Sequence, residues 1–295
     1  MKQKLTGLGV AIVTPFKTDL SVDFDALTNL VNFNIDNGTN YIVISGTTGE
    51  SVTVSKQEKQ AIVKTIVAAN NNRVPLVLGI GGNHTAQILE EIGSTDFTHI
   101  SAILSVSPAY SKPTQEGIYQ HFKAVSETSP VPVILYNVPG RTASNMLPET
   151  VIRLASDFNN IVAIKEAAGN MAQYFQLLKN KPEDFLVISG DDDLALPVTL
   201  AGGSGVISVI GQAFPENFSK MIQLGLEGNA KEAYKIHYAI LDGIGLIFSE
   251  NNPSGIKAVL ECLNLCNDAV RLPLVAATTA LKSKIQLFVN NFQKS

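Results

Sequence analysis

The sequence predicts an α/β protein of the (β/α)8 class, a TIM barrel followed by a C-terminal helical extension. Short β-branched, apolar runs recur and are separated by segments with the 3.6-residue spacing of amphipathic helices. The runs are apolar throughout, which is expected of parallel strands covered on both faces. Eight such units over about 210 residues fit a closed barrel better than a Rossmann sheet, since no GxGxxG opens the first crossover.

The predicted strands are the apolar runs themselves. They are VAIVTPF (10–16), YIVISG (41–46), VPLVLGIG (74–81), ISAILSVS (100–107), VPVILYNVP (131–139), IVAIKEA (161–167), FLVISGDD (185–192) and GVISVI (205–210). Between the first two, residues 24–31 place apolar side chains on one helical face before Gly38. The next helix is predicted to begin at a capping box formed by Ser55 and Glu58.

From Pro215 onward the strand-like runs stop and helical patterns continue toward the C-terminus. We therefore expect a TIM-barrel catalytic domain over residues 1–225 and a C-terminal helical domain over residues 226–295, packed on the barrel. No linker rich in Gly, Ser or Pro separates the two. Cys262 and Cys266 are spaced for one side of a helix, and we expect buried thiols rather than a disulfide or half a metal site.

The composition indicates that the protein binds small molecules. The chain has 22 Lys plus Arg against 26 Asp plus Glu, a formal charge of -4 and no long basic run, so nucleic acid and anionic membranes are not expected to bind. No apolar run approaches the roughly 20 residues needed to cross a bilayer. The N-terminal stretch meets Pro15 without a signal-peptide pattern. We expect a cytoplasmic protein that acts on small molecules.

Polar residues follow several predicted strands at the ends where TIM-barrel active sites lie. They are GTTGES (46–51), SPAY (107–110), YNVPGRT (136–142), Lys165 with Glu166, and Gly190 with Asp191 and Asp192. Two tyrosines, one arginine and one lysine are therefore predicted to converge on one mouth. The glycines and N–H groups of GTTGES suit a small anion such as a carboxylate or a phosphate.

Lys165 ends an apolar strand, where a cation has no obvious partner. An amine among apolar residues loses solvation of its charged form, which favours the neutral nucleophile that forms imines with ketones or aldehydes. The alternative is an ordinary ion pair with Glu166. The tyrosines could likewise pack with their hydroxyls in water. GTTGES could be a tight turn with Glu50 at the N-terminus of the next helix.

A metal site is not predicted. The four histidines show no HxH or HExxH spacing. The acidic run 191–193 could bind Mg²⁺, but such a run more often caps a helix. GGSGV (202–206) resembles a phosphate-binding loop, yet it precedes the eighth strand and would lie at the opposite face of the barrel.

Taken together, these motifs resemble the pyruvate-dependent class I aldolases and lyases related to N-acetylneuraminate lyase. The likeness extends over essentially the whole chain, from GVAIVTPF through GTTGES, YNVPGRT, AIKEA, SGDD and GVISV. It implies that Lys165 forms a Schiff base with the keto carbon of pyruvate, and that loss of a methyl proton gives an enamine that attacks an aldehyde. No cofactor or metal is implied, because the lysine itself is the electron sink.

The resemblance also implies roles for neighbouring hydroxyls. Tyr136 would be the proton donor and acceptor beside the lysine, and Thr47 would connect it to Tyr110 in a hydroxyl relay. In the family this last tyrosine comes from the neighbouring subunit, so a homodimer would complete each site. Dimers could pair again into a tetramer.

Substrate binding follows from the same resemblance. The N–H groups of Thr47 and Thr48 would hold the pyruvate carboxylate, and the backbones of Gly190 and Ile207 would line the pocket. Arg141 distinguishes two branches of the family. Its planar guanidinium suits the carboxylate of L-aspartate 4-semialdehyde, and sialic-acid lyases have no arginine at this position. The implied product is 4-hydroxy-tetrahydrodipicolinate, in the first committed step of the diaminopimelate route to lysine.

Two alternatives remain at this point: a sialic-acid or keto-deoxy sugar-acid lyase, and a catalytically silent barrel that binds sugar acids or serves as a scaffold. The sequence also bears on regulation. Family members inhibited by lysine use a histidine or similar group, an acidic residue and a tyrosine at three places that here read Lys56, GGNHTAQ (81–87) and Ala109. We therefore expect weak or absent feedback inhibition by L-lysine.

Overall fold

The computed structural model describes residues 5–293 and contains a closed barrel of parallel strands, in which β8 closes on β1. The strands are β1 (Gly7–Ala11), β2 (Tyr41–Ile44), β3 (Leu76–Gly79), β4 (Ala102–Val106), β5 (Val133–Asn137), β6 (Ile161–Glu166), β7 (Leu186–Ser189) and β8 (Gly205–Ser208). Each strand pairs with its sequence neighbours. The predicted TIM barrel is confirmed, and every predicted run contains part of one strand.

The first strand lies earlier than the β-branched pattern indicated, at residues 7–11 instead of 10–16. A Cβ atom at Gly9 would lie 2.2 Å from the ring of Tyr41, so a glycine is needed where this bulky ring crosses the barrel. Pro15, which carries no N–H, cannot donate to a parallel ladder, and the strand ends before it. The run 10–16 therefore combines the end of β1 with the loop that follows.

Helices alternate with the strands. Those of the barrel are α1 (Phe24–Asp36), α2 (Lys56–Asn70), α3 (Thr85–Ser94), α4 (Gln115–Thr128), α5 (Pro139–Thr142), α6 (Pro148–Asp157), α7 (Met171–Asn180), α8 (Ala195–Leu200) and α9 (Pro215–Leu226). α2 begins with the predicted capping box, because the Ser55 side chain accepts from the Glu58 N–H and the Glu58 side chain accepts from the Ser55 N–H.

Three more helices follow the barrel: α10 (Ala230–Ser249), α11 (Ser254–Cys262) and α12 (Thr279–Phe292). α10 packs against α8 and α9, and α12 packs against α10 and α11. The division into domains after residue 225, one residue before the end of α9, stays a prediction. Across residues 5–293, no helix combines the length and the apolar composition that spanning a bilayer would require.

Apolar side chains fill the inside of the barrel as well as the layer between strands and helices. Tyr41 of β2 is fully buried inside, where its hydroxyl donates to the backbone oxygen of Val206 at 3.3 Å. Leu5 and Leu186 pack in the same interior cluster. Tyr41 and Leu186 begin their strands, so this packing fills the N-terminal end of the barrel, and a cavity opens at the C-terminal ends of the strands.

The two cysteines differ from the prediction of buried thiols on one side of a helix. Cys262 and Cys266 are both free thiols and half-buried. Burial raises the pKa of the Cys266 thiol to about 12. The two do not share a helix face, because α11 ends at Cys262 and Asn264 adopts a left-handed conformation with φ 57°.

Candidate active site

A cavity of about 380 Å³ opens at the C-terminal ends of the strands. It is lined by the ends of the strands and by the loops that follow them, including the last turn before α11. Six of the predicted site residues contribute to the lining: Thr47, Thr48, Tyr136, Arg141, Lys165 and Gly190. The sequence motifs that follow β2, β5, β6 and β7 are thus brought together at one mouth, as the barrel topology requires.

Lys165 occupies the deep part of this cavity. It is only 5 % exposed, and its partners in the strand register are Tyr136 on β5 and Ile188 on β7. Because side chains alternate along a strand, Lys165 points to the barrel interior with Ala163, whereas Glu166 points the other way. The Lys165 Nζ atom lies over the Tyr136 ring, 4.6 Å from its centre. The amine is therefore buried beside a phenol.

Glu166 is not the partner of this lysine. Its carboxylate accepts hydrogen bonds from Asn137 Nδ2, at 3.1 and 3.0 Å, and from the Ala168 N–H at 2.9 Å. Burial raises the pKa of the Glu166 carboxyl to about 7. Within residues 5–293 Lys165 forms no ion pair. The alternative reading of Lys165 as an ordinary ion-pairing residue with Glu166 is wrong.

The GTTGES segment forms consecutive turns, in which the Gly49 N–H donates to Gly46 O at 3.1 Å and the Glu50 N–H donates to Thr47 O at 3.0 Å. Glu50 does not sit at the N-terminus of α2, as the alternative reading had it. Its buried carboxylate lies 2.5 Å from the Nζ atom of Lys257 on α11. The segment is therefore held from the C-terminal helical part of the chain.

Sequence reasoning missed Asn252 at this site. Its Nδ2 donates to Thr48 Oγ1 at 3.0 Å, and its backbone oxygen accepts from the Arg141 guanidinium at 3.4 Å. Asn252 also lines the cavity. No local signal in the segment NNPSG indicates this position, because both of its partners are distant in sequence.

Arg141 and Gly190 take different positions in the cavity wall. Arg141 belongs to the short helix α5 and lies exposed at the rim. Gly190 lies deeper, where a Cβ atom would come within 3.0 Å of the Lys165 Cε atom and 2.6 Å of the Ala167 Cβ atom. A glycine is required here, because any side chain would displace the lysine or its neighbour.

Two predicted residues do not line this cavity. Ile207 is fully buried in the interior cluster within β8, and Val209, two residues further on, lines the cavity instead. Tyr110 is 91 % exposed, with a left-handed φ of 67°, and does not line the cavity of its own chain. Val52, on the loop before α2, is 93 % exposed as well.

The carboxylates of Asp191 and Asp192, after β7, accept hydrogen bonds from backbone N–H groups. Asp192 is buried and accepts from the N–H groups of Val209, at 3.2 and 3.1 Å, and of Ile210, at 2.9 Å. Burial raises the pKa of the Asp192 carboxyl to about 6. Asp191 accepts from the Gly169 N–H at 3.0 Å. In the described part of the chain, no three His, Cys, Asp or Glu side chains are grouped so that they could hold a metal ion.

A TIM barrel with a lysine that is buried beside a tyrosine at the C-terminal ends of the strands, and that has no ion pair among residues 5–293, has the layout of a class I aldolase. The particular family follows from comparison with known proteins. The chain matches the sequence model of the Dihydrodipicolinate synthetase family over residues 4–291, and it belongs to that family.

The relatives extend this result over the whole chain. The chain is 58% identical over 292 residues to the 4-hydroxy-tetrahydrodipicolinate synthase of Flavobacterium psychrophilum, covering 99% of this chain and 100% of that protein. It is 46% identical to the enzyme of the same name from Phocaeicola vulgatus, covering 99% of each. The crystal structure of dihydrodipicolinate synthase from Aquifex aeolicus superimposes with a TM-score of 0.94 at 37% identity, covering 98% of each chain.

The predicted activity is thereby confirmed. The chain is a Schiff-base-forming lyase that condenses pyruvate with L-aspartate 4-semialdehyde to 4-hydroxy-tetrahydrodipicolinate, the first committed step of the diaminopimelate route to lysine. The sugar-acid lyase and the silent barrel are set aside, because these relatives match over their full length and carry the name of the synthase.

Proposed function

We propose that Lys165 is the amine that forms the Schiff base. The observation that carries the proposal is the burial of its Nζ atom in the cavity without an ion-pair partner among residues 5–293, 4.6 Å from the Tyr136 ring centre. An amine that is not engaged in an ion pair and lies inside the cavity is placed to attack the carbonyl carbon of a bound substrate.

The reaction proceeds through an imine and then an enamine. Lys165 Nζ bonds to the keto carbon of pyruvate and the keto oxygen leaves as water. Loss of a methyl proton gives the enamine, whose terminal carbon bonds to the aldehyde carbon of the semialdehyde, and the aldehyde oxygen takes a proton to become the 4-hydroxyl group. The amino group of the second substrate then replaces Lys165 at the former keto carbon, which closes the ring and frees the lysine. Tyr136 donates and accepts the protons.

Two carboxylates need separate sites. Pyruvate would place its carboxylate on the N–H groups of Thr47 and Thr48, with the backbone of Gly190 beside it. The semialdehyde would place its carboxylate on Arg141, since the guanidinium lies at the exposed rim of the same cavity and can form two parallel hydrogen bonds. The first substrate is thus bound deep and the second above it.

The relay requires a second copy of the chain. Thr47 would connect Tyr136 to Tyr110, and Tyr110 would act in the cavity of the partner protomer. The exposure of Tyr110 and Val52 supports a homodimer that buries both, and two dimers could associate as a tetramer. We further propose cytoplasmic localisation, where pyruvate and the semialdehyde are produced, and a C-terminal helical domain over residues 226–295.

Reductive trapping tests the proposal. The intact mass after incubation with pyruvate and sodium borohydride should rise by one reduced pyruvyl group, and peptide mapping should place the adduct on Lys165. Lys165→Met should abolish the adduct. Lys235→Met, at an exposed lysine paired with Glu232 on α10, is the matched control and should be labelled like the wild type. An adduct that persists in Lys165→Met would refute the role.

A further inference from the structure

The loop that carries Thr47 and Thr48 is fastened by residues that follow the barrel. We infer that Asn252 and the Lys257–Glu50 ion pair are positioning groups for this loop and thereby set the affinity of the enzyme for pyruvate. The inference rests on the proposed binding of the pyruvate carboxylate by Thr47 and Thr48. It assigns part of the active-site geometry to the helices beyond the barrel.

Asn252 fixes the Thr48 side chain directly. It lies between α10 and α11, is 4 % exposed, and donates from Nδ2 to Thr48 Oγ1 at 3.0 Å. Its backbone oxygen accepts from Arg141 at 3.4 Å. One residue therefore touches the group proposed to bind the first carboxylate and the group proposed to bind the second.

The ion pair fixes the same loop two residues further on. The Glu50 and Lys257 side chains are 1 % and 0 % exposed, and their charged atoms lie 2.5 Å apart. The second Glu50 oxygen accepts from the Arg271 N–H at 3.0 Å, and Lys257 also donates to Ala269 O at 2.8 Å. Both carboxylate oxygens are thus bound by groups from the C-terminal part of the chain.

The Lys257–Glu50 ion pair is connected to Thr47 and Thr48 through the backbone of the loop. The Glu50 N–H donates to Thr47 O at 3.0 Å, and Glu50 holds a left-handed φ of 53° that is unfavourable for a residue with a side chain. Neither Glu50 nor Lys257 lines the cavity. Since a buried ion pair is a weak source of stability, its value here lies in holding the turn that presents Thr47 and Thr48.

Two variants separate positioning from folding. Asn252→Ala removes the bond to Thr48 and keeps the backbone oxygen. The double variant Glu50→Gln with Lys257→Met removes both charges together, so neither is left buried and unpaired. Lys282→Met is the matched control, since Lys282 pairs with Asp268 at 2.5 Å and Glu261 at 3.2 Å in the same C-terminal region and does not contact the loop.

The readout is the pyruvate concentration that gives half-maximal borohydride-trapped adduct, with the thermal unfolding temperature measured in parallel. We expect this concentration to rise about fivefold to tenfold in Asn252→Ala and in the double variant, as for the loss of one or two hydrogen bonds, with the adduct still forming fully at saturating pyruvate. Lys282→Met should keep the wild-type value.

A lower unfolding temperature with unchanged half-saturation in both test variants would overturn the inference, because it would reduce Asn252 and the ion pair to structural contacts. An equal rise in Lys282→Met would overturn it too. Failure of the proposed function looks different, since the wild type itself would then carry no adduct on Lys165. In that case calorimetric titration of the same variants with pyruvate decides the inference by the same fold-change.

Discussion

Lys165 and Tyr136 are register partners on neighbouring strands, and the lysine Nζ atom lies over the face of the tyrosine ring, 4.6 Å from its centre. The backbone pairing of β5 and β6 holds the two side chains side by side at the floor of the cavity. The positions of the proposed nucleophile and the proposed acid–base group are therefore set by the barrel and not by a loop. Tyr136 thus makes two separate contributions: its ring packs against Lys165, and its hydroxyl is the group proposed to exchange protons.

Tyr136→Phe separates these two contributions, since it keeps the ring beside Lys165 and removes the hydroxyl. We expect kcat to fall about 100-fold to 10,000-fold, as for the loss of a general acid–base group. The borohydride adduct should still form, only more slowly. Steady-state kinetics and a time course of adduct mass check this. A kcat within a factor of three of the wild-type value would exclude Tyr136 as the proton donor and acceptor.

Arg141→Ala should affect the second substrate far more than the first. The proposed contact of Arg141 is with the semialdehyde carboxylate at the rim, so the KM for L-aspartate 4-semialdehyde should rise about 10-fold to 100-fold, the range for loss of a charge-assisted pair. The KM for pyruvate should change less than threefold. Arg153→Ala, which removes an exposed guanidinium paired with Glu116, is the control. Equal rises in both KM values would contradict the assigned contact.

Tyr110 can be tested by mixing two weakened enzymes. If Tyr110 acts in the partner's cavity, a hybrid dimer of Tyr110→Phe and Lys165→Met protomers contains one site with both wild-type residues. Dissociating and reassociating an equimolar mixture should then recover up to about a quarter of wild-type activity, because half of the dimers are hybrids with one intact site each. If Tyr110 served its own chain, no hybrid site would be intact and the mixture would show only the activity of its components.

Glu166 makes stability depend on pH. Burial raises the pKa of its carboxyl from an ordinary value near 4.5 to about 7 in the folded protein, so the folded state holds a proton that the unfolded state has lost between those two values. This contribution to stability is fully present below the unfolded pKa and is lost as pH rises through about 7. Above that pH the folded protein must keep a buried carboxylate charged.

Glu166→Gln removes this titration. Relative to the wild type, the variant should gain on the order of 2 kcal/mol in free energy of unfolding between pH 5 and pH 8. Urea unfolding at each pH measures it. His121, whose pKa burial lowers to about 4, shifts stability in the opposite direction, and Asp192 titrates in both proteins, so each cancels in the comparison. A difference independent of pH would mean that Glu166 is ionised throughout.

Feedback by L-lysine should be weak or absent. Ala109 N donates to Asn83 Oδ1 at 2.7 Å, so the segment 81–87 and Ala109 lie next to each other, and Lys56 lines a nearby surface cavity together with Lys59. Lys59 is paired with Glu91 at 2.5 Å, so Lys56 is the cation that opposes the binding of a cationic ligand here. Activity should be unaffected by micromolar L-lysine, and Lys56→His with Ala109→Tyr should increase sensitivity. A micromolar inhibition constant for the wild type would contradict the prediction.

Much of this architecture could be predicted because its signals are local. Apolar runs marked the strands, and Lys165 stood out as the only cation within one of them. β1 was misplaced because Gly7 and Gly9 have low β propensity. These glycines are needed because a Cβ atom at Gly7 would meet Asn40 and a Cβ atom at Gly9 would meet Tyr41, both distant in sequence. Asn252 and Lys257 were missed for a related reason. In the sequence, Lys257 fits the polar face of an amphipathic helix. Its buried partner, Glu50, is 207 positions away and gives no local signal.

The buried Tyr41 ring bears on how substrates reach the cavity. Tyr41 packs inside the barrel, and the cavity opens at the C-terminal ends of the strands, with Lys165 buried and Arg141 at the exposed rim. If pyruvate binds at Lys165 and the semialdehyde at Arg141, as we propose, pyruvate has to bind first and the semialdehyde then covers it. The order in which the two substrates bind would then follow from the depth of the cavity.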